Sequence, residues 1–287
     1  MKNDLLTRVA VLMTCYNRVE KTLLCLNSLY SANIPDNINF DVYLVDDNSP
    51  DQTGKIVKDK YPYVNIILGN GSLYWNRGMR LAWKQARRNK DYDFYIWIND
   101  DIQVDVNAFE IILNDYYSLL ANGIEAVISG VCYDSNLNEI TYGGRDSNYN
   151  LIVPNGHPRP CKYINGNFTL ISKKIFKALC YFSLKYIHAA GDHDYGLRAI
   201  KYGFKCFISS YKVAICLHNK TGEAQDWRNP SIPLRKRIKD LFSIKGANLR
   251  DCLFLVQEDK GILIMLKTFI IYILYVLFPA MFIKQKR

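Results

Sequence analysis

Two aspartates stand side by side at Asp100 and Asp101, directly after the run Phe94-Tyr95-Ile96-Trp97-Ile98-Asn99. Adjacent carboxylates repel each other unless a cation lies between or beside them. Oxygen ligands of this kind suit a hard divalent ion, Mg²⁺ or Mn²⁺, that also holds substrate phosphates. The simpler use is a turn whose aspartates cap the helix beginning near Val104. A second acidic cluster, Asp46-Asp47-Asn48-Ser49-Pro50-Asp51, and a polar turn, Thr14-Cys15-Tyr16-Asn17-Arg18, also follow apolar runs. A fourth polar group lies at Gly191-Asp192-His193-Asp194, and His218 closes another apolar run. A nucleoside diphosphate accounts for the first three together. A carboxylate after the second strand accepts from a base N–H or ribose hydroxyls, and glycines at 69 and 71 let backbone approach a ligand. A cation at Asp101 neutralises the diphosphate. The phosphate loops G-x-x-x-x-G-K-[ST] and G-x-G-x-x-G are absent, which favours a metal-held diphosphate over a P-loop or a bound dinucleotide.

The elements that must position these groups alternate in kind. Short continuous apolar runs at Arg8–Thr14, Phe40–Val45, Val64–Leu68 and Phe94–Ile98 read as strands buried on both faces. Between them, Leu23, Leu24, Leu26 and Leu29, and later Met79, Leu81, Ala82, Trp83 and Ala86, keep helical spacing. Strands alternating with helices predict βαβ units and a parallel sheet, whose carboxyl edge collects ligands. Beyond it the pattern predicts a helix over Val106–Leu120, strands over Glu125–Val131 and Tyr163–Ser172, and a hairpin or long loop over 133–162. A helix from Leu197 to Tyr202, and strands at Phe204–Ile208 and Val213–Leu217, complete the reading. Asp192 is then either a reactive carboxylate or a helix cap, and Asp194, which pairs with Arg198 at helical spacing, suits the cap better. Tyr74 and Trp75 are candidates to stack on a sugar or base, with core packing as the alternative.

Of 287 residues, 49% are hydrophobic and 22% charged, and the formal net charge is +10. The basic excess admits phosphorylated substrates or anionic lipid. No zinc-finger spacing or aromatic–basic RNA-binding motif is present, so nucleic acid is not an expected partner. Eight cysteines are scattered without a Cys-x-x-Cys pair, a reduced pattern that predicts a cytoplasmic protein. Ile262 to Ile283 is apolar apart from Lys267, Thr268 and tyrosines, and follows a basic cluster that includes Arg235, Lys236, Arg237 and Lys239. This tail predicts a helix that spans or lies on an anionic membrane, packs as a core helix, or makes a homo-oligomer contact.

Taken together, these residues resemble the family 2 glycosyltransferases of the GT-A fold. The likeness runs over about residues 7–220. It rests on Val11-Leu12-Met13-Thr14-Cys15-Tyr16-Asn17-Arg18, Val45-Asp46-Asp47-Asn48-Ser49, Asn99-Asp100-Asp101, Asn165-Gly166-Asn167-Phe168 and Gly191-Asp192-His193-Asp194-Tyr195-Gly196-Leu197-Arg198. Gly69 to Met79 resembles the branch of rhamnosyltransferase-like enzymes of bacterial surface polysaccharides. The resemblance implies that Thr14, Tyr16 and Asp47 hold the nucleotide, and Asn17, Arg18, Gly71, Trp75, Asn76 and Asp100 stand beside them as candidate nucleotide-sugar-binding residues. It further implies Mn²⁺ or Mg²⁺ on Asp101 and His218, with Asp192 as the catalytic base of an inverting transfer. The chain departs from the family at Gly191, where a glutamate usually precedes the base.

The expected fold is therefore α/β: a GT-A-type, Rossmann-like mixed sheet with helices on both faces, plus a C-terminal helical tail. Residues 1–225 form the transferase domain, with a nucleotide-binding half to about 105 and an acceptor-binding half after it, and 226–287 form the tail. The expected partners are a nucleoside-diphosphate sugar donor, a glycan or lipid-linked acceptor, and the inner face of the cell membrane. A sugar nucleotidyltransferase and a non-catalytic nucleotide-sugar-binding scaffold are the alternatives.

Overall fold

The computed structural model describes residues 6–217 and 226–282. Along the first half run β1 (Thr7–Cys15), α1 (Val19–Ser31), β2 (Ile38–Asp46), α2 (Thr53–Lys60), β3 (Asn65–Leu68), α3 (Tyr74–Asn89) and β4 (Phe94–Ile98). There follow β5 (Gln103–Val104), α4 (Ala108–Ala121), β6 (Ala126–Asp134), β7 (Glu139–Tyr142), β8 (Arg159–Pro160) and β9 (Phe168–Ser172). The chain continues through α5 (Lys173–Leu179), α6 (Gly191–Lys201), β10 (Lys205–Ile215), α7 (Leu234–Phe242), α8 (Leu249–Lys260) and α9 (Ile262–Leu277).

One sheet takes the order β3-β2-β1-β4-β9-β6-β10-β5, with β7 on β6 and β8 on β10. β3, β2, β1 and β4 are mutually parallel, while β9 runs antiparallel between β4 and β6. The apolar runs are continuous because both sheet faces are covered. Val9, Val11 and Met13 of β1 and Ile96 and Ile98 of β4 enter one core with α1 and α4. Ala10, Leu12, Tyr95 and Trp97 enter the other with α3, α5 and α6. Trp83 of α3 is the centre of that second core, with its ring against Tyr95, Trp97, Phe176, Phe182 and Tyr195.

The sheet register aligns the chemistry. Cys15 lies opposite Asp46 and Leu12 opposite Trp97, so β1, β2 and β4 end together at Thr14–Arg18, Asp46–Asp51 and Asn99–Asp101. Three local expectations change. The runs at 204–208 and 213–217 belong to one long strand, β10, whose register slips against β6 beyond Ile208. The predicted strand from Tyr163 begins only at Phe168, leaving Asn165–Asn167 as a loop at the sheet edge. The knot at Asp192–Asp194 is itself the first turn of α6, because Ala190 in the left-handed region (φ 66°) starts the helix early.

The C-terminal segment docks on the sheet-bearing part of the chain through charge pairs. Asp259 of α8 accepts from the Tyr163 hydroxyl at 2.6 Å and pairs with Lys162 at 2.8 Å. Glu258 pairs with Lys185 at 2.6 Å and Lys201 at 3.6 Å. Asp251, 0% exposed, accepts the backbone N–H groups of Ile187 and His188 at 3.0 and 3.3 Å. α9 leaves large apolar side chains in the open, with Leu263 77% and Met281 just beyond it 78% exposed. Among the described residues, no helix is long and apolar enough to cross a membrane.

Candidate active site

At the end of β2, Asp47 is buried, and its two oxygens accept three backbone N–H groups: Gly71 at 2.8 Å, Leu73 at 2.8 Å and Tyr74 at 3.1 Å. It thereby folds the loop between β3 and α3 over the sheet edge. Gly71 sits at φ +84°, a conformation that favours glycine and lets the N–H turn inward to the carboxylate. Asp51 ties two helices together, accepting from Val19 N–H at 3.1 Å at the start of α1 and from Thr53 N–H at 3.1 Å at the start of α2. Asn17 is in the left-handed region (φ 55°), and its N–H donates to Ser49 Oγ at 3.0 Å. A cavity of about 250 Å³ opens over these strand ends, lined by Thr14, Tyr16, Arg18, Asp47, Gly71, Trp75 and Asp100, together with Tyr74, His188 and Lys245.

The cation that two adjacent carboxylates require is present in the chain. Arg18 Nη1 lies 3.1 Å from Asp100 Oδ1 and 3.1 Å from Asp101 Oδ2. Two carboxylate oxygens therefore converge on one cationic position, and Asp100 and Asp101 are the kind of oxygen donors that would suit a hard divalent ion. Among the described residues, no group of three or more His, Cys, Asp or Glu side chains gathers to hold a metal. His218, the second expected ligand, lies outside the described residues.

Burial pushes Asp100 up to about 6; Arg18 opposes this and the neighbouring Asp101 adds to it. The folded carboxyl thus binds a proton more tightly than its unfolded counterpart near 3.8. Between those values the native state carries more protons, so stability falls as pH rises from about 4 through 6. A shift of this size corresponds to about 3 kcal/mol at its upper limit. In chelator-treated protein, denaturant midpoints should decline across this window, and Asp100→Asn should flatten the decline. An equal slope in both proteins would show that another group titrates.

A second cavity of about 560 Å³ adjoins the first and shares Arg18, Trp75, Asp100 and His188 with it. Asp101, Asn167, Asp192 and His193 line it from the sheet side, and Asn248, Cys252 and Leu255 from the C-terminal segment. Asp192, in the first turn of α6, accepts from Gly166 N–H through Oδ2 at 2.9 Å and from His193 N–H through Oδ1 at 2.8 Å. Both bonds orient the carboxylate without placing a cation on it. Asp194 takes the structural part, pairing with Arg198 at 2.8 Å. A hydrogen-bonded chain runs from Trp75, which both cavities share, along the second: Trp75 Nε1 donates to Asn99 Oδ1 at 2.7 Å, and Asn99 Nδ2 donates to Asn167 Oδ1 at 2.6 Å.

Asn76 stands apart from the other expected site residues. It is 0% exposed, behind the cavities, and donates from Nδ2 to the Ser183 and Tyr186 carbonyls at 2.9 Å each. Its Oδ1 occupies the space where a side chain on Gly191 would begin. Glycine at 191 thus has a steric reason, because any Cβ there would overlap Asn76. Two residues at the site escape sequence reasoning. His188 lines both cavities, and its Nδ1 is buried with no partner among the described residues. Burial, with help from the Lys245 ammonium, lowers its pKa and so disfavours the imidazolium. Lys245 arrives from the tail, far along the chain, and no local pattern marks it.

The profile of glycosyl transferase family 2 matches residues 10–180, more than half of the chain. No curated protein matches by sequence. Among solved structures, residues 1–349 of TarS from S. aureus in complex with UDP-GlcNAc superpose with a TM-score of 0.54 at 16% identity, covering 89% of this chain and 72% of that one. The mannosyltransferase PcManGT from Pyrobaculum calidifontis, in complex with GDP-Man and Mn²⁺, gives 0.53 at 15% identity over 95% of this chain and 84% of the other. GalNAc-T7 with UDP, GalNAc and Mn²⁺ gives 0.57 at 14% identity over 76% and 44%. At these identities the likeness is one of fold.

Proposed function

The chain belongs to glycosyl transferase family 2 and is a glycosyltransferase, and from that premise we propose that it moves a sugar, with inversion, from a nucleoside-diphosphate donor to a cell-surface glycan or its lipid-linked precursor. The observation that carries this reading is the joined cleft. A cavity over the ends of β1 and β2 opens past Trp75, Asp100 and His188 into a second one containing Asp192. In this account the nucleotide lies along Thr14, Tyr16 and the loop that Asp47 folds, and the diphosphate reaches Asp100 and Asp101. Mn²⁺ or Mg²⁺ held there by the two carboxylates would supply charge to offset that of the departing diphosphate. The Asp192 carboxylate takes the acceptor hydroxyl proton as that oxygen bonds to the sugar's anomeric carbon. The bond from that carbon to the diphosphate oxygen breaks on the opposite side.

Rhamnose is the donor sugar to try first, on the likeness of Gly69–Met79. The test is a panel of dTDP-rhamnose, UDP-hexoses and GDP-mannose with Mn²⁺, Mg²⁺ or chelator. One donor should release its nucleoside diphosphate slowly, and only with metal. Turnover of a nucleoside triphosphate with a sugar phosphate would instead support the nucleotidyltransferase.

The acceptor assignment is tied to the tail. α9 and the turn after it expose Leu263, Ile270 and Met281, while Arg235 and Lys239 of α7 are exposed on the same segment. Such a helix suits the interface of an anionic bilayer. The protein should co-sediment with phosphatidylglycerol vesicles and much less with phosphatidylcholine, and Leu263→Asp with Ile270→Asp should abolish it. Vesicle-independent dimers that the same pair of substitutions dissolves would assign the face to a second copy.

A further inference from the structure

Lys245 belongs to a turn between α7 and α8 that the structure builds with care. Ala247 N–H donates to Asp240 O at 3.1 Å, and Asn248 N–H to Ser243 O at 3.2 Å. Gly246 packs so closely on Asp240 and Ser243 that a side chain there would overlap them. Asn248 caps α8, and its Nδ2 donates at 2.8 Å to Asp251, the buried carboxylate that also holds the Ile187 and His188 amides. The turn is therefore anchored to the loop that leads into Asp192.

On this turn Lys245 lines the first cavity, its ammonium 5.4 Å from the centre of the Tyr16 ring. Among the described residues it has no carboxylate within ion-pair distance, whereas Arg18 in the same wall is held by Asp100 and Asp101. Asp47, the cavity's other carboxylate, is occupied by three amides. The cation left with capacity for an anionic ligand is thus Lys245. It lies outside the stretch that matches the family profile, which ends at residue 180.

We propose that Lys245 binds the diphosphate of the donor, so that the C-terminal segment completes the leaving-group site of the transferase domain. The inference rests on the donor reading above. A flexible ammonium is a compact point charge that can follow the diphosphate as negative charge grows on its leaving oxygen. Its cation–π contact with Tyr16 holds it near the cavity mouth without neutralising it.

The test compares wild type, Lys245→Gln and Lys245→Arg by calorimetry with Mn²⁺ present. The probes are whichever of UDP, GDP or dTDP wild type binds and the matching nucleoside. Lys245→Gln should weaken the diphosphate about 10-fold and leave the nucleoside unchanged, with Lys245→Arg in between. Equal diphosphate affinity in wild type and Lys245→Gln would overturn the inference while leaving the donor reading intact. Equal losses for nucleoside and diphosphate would also overturn it, assigning Lys245 to the support of Tyr16. A wild type that binds no nucleoside diphosphate would take down the donor reading and this inference with it. Lys245 is exposed, so unchanged thermal unfolding should accompany either substitution.

Discussion

Asp192→Asn should reduce turnover by about 10²–10⁴-fold and leave donor affinity within about a factor of two, the range expected for loss of a positioned general base. The substitution conserves shape, and the amide oxygen still accepts from one of the two N–H groups, Gly166 or His193, that orient the carboxylate. What disappears is the capacity to take a proton. Asp192 lines the second cavity and not the first, so a binding defect is not expected. Single-turnover rates with the donor identified by the panel, together with a separate donor titration, distinguish the two effects. Turnover above about a tenth of wild type would place the base elsewhere. Equal loss of donor binding would mean that the two cavities are not divided as donor and acceptor sides.

The second large effect concerns Gly191. Gly191→Glu, or only a methyl group in Gly191→Ala, places a Cβ onto Asn76 Oδ1. Neither partner has room to yield. Asn76 is fully buried, fixed through Nδ2 by the Ser183 and Tyr186 carbonyls, and Gly191 opens the helix that carries Asp192. Overpacking at such a position costs about 1–3 kcal/mol, occasionally more. Because the strain falls one residue before Asp192, activity should drop further than stability does. Asn76→Ala alone should also destabilise, by about 1–3 kcal/mol, through the two carbonyls it strands. The double variant should cost less than the sum of the singles, since the alanine at 76 removes the oxygen that the new methyl meets. Denaturant unfolding of the four proteins measures this coupling. Strict additivity would show that the overlap relaxes by backbone movement and does not explain the glycine.

The sheet was legible because both of its faces are buried. Strands such as Val9–Met13 and Phe94–Ile98 must then be apolar at every position, and their ends stand out as the first polar residues. That is why Thr14–Arg18, Asp46–Asp51 and Asn99–Asp101 could be placed on one edge from sequence alone, as the register of β1 with β2 and β4 bears out. What was not legible depends on contacts between distant segments. Nothing near Arg18 marks it as the partner of carboxylates 82 and 83 residues away. Asn76 sits among residues that line the cavities, yet its own side chain turns to the 183–186 loop, 107 and 110 residues on. α6 starts before its apolar spacing predicts, after Ala190 in a left-handed conformation that its side chain does not advertise. The apolar run of the tail predicts a membrane, core or homo-oligomer contact. Its docking contacts come instead from Asp251, Glu258 and Asp259, acidic residues that look like solvated surface until their partners are seen.

The claim on which the rest depends is that one cleft holds a metal-bound nucleoside diphosphate beside Asp192. The most direct measurement is a calorimetric titration of UDP, GDP and dTDP into wild-type protein, with Mn²⁺ and then with chelator. One nucleotide should bind at about a 1:1 ratio with Mn²⁺ and at least about 10-fold more weakly without it, as expected if a cation joins its diphosphate to the strand-end carboxylates. Asp101→Asn should behave like wild type in chelator. Binding of the same strength with and without the ion would remove the metal from the account, and no binding of any nucleotide would contradict the donor site altogether.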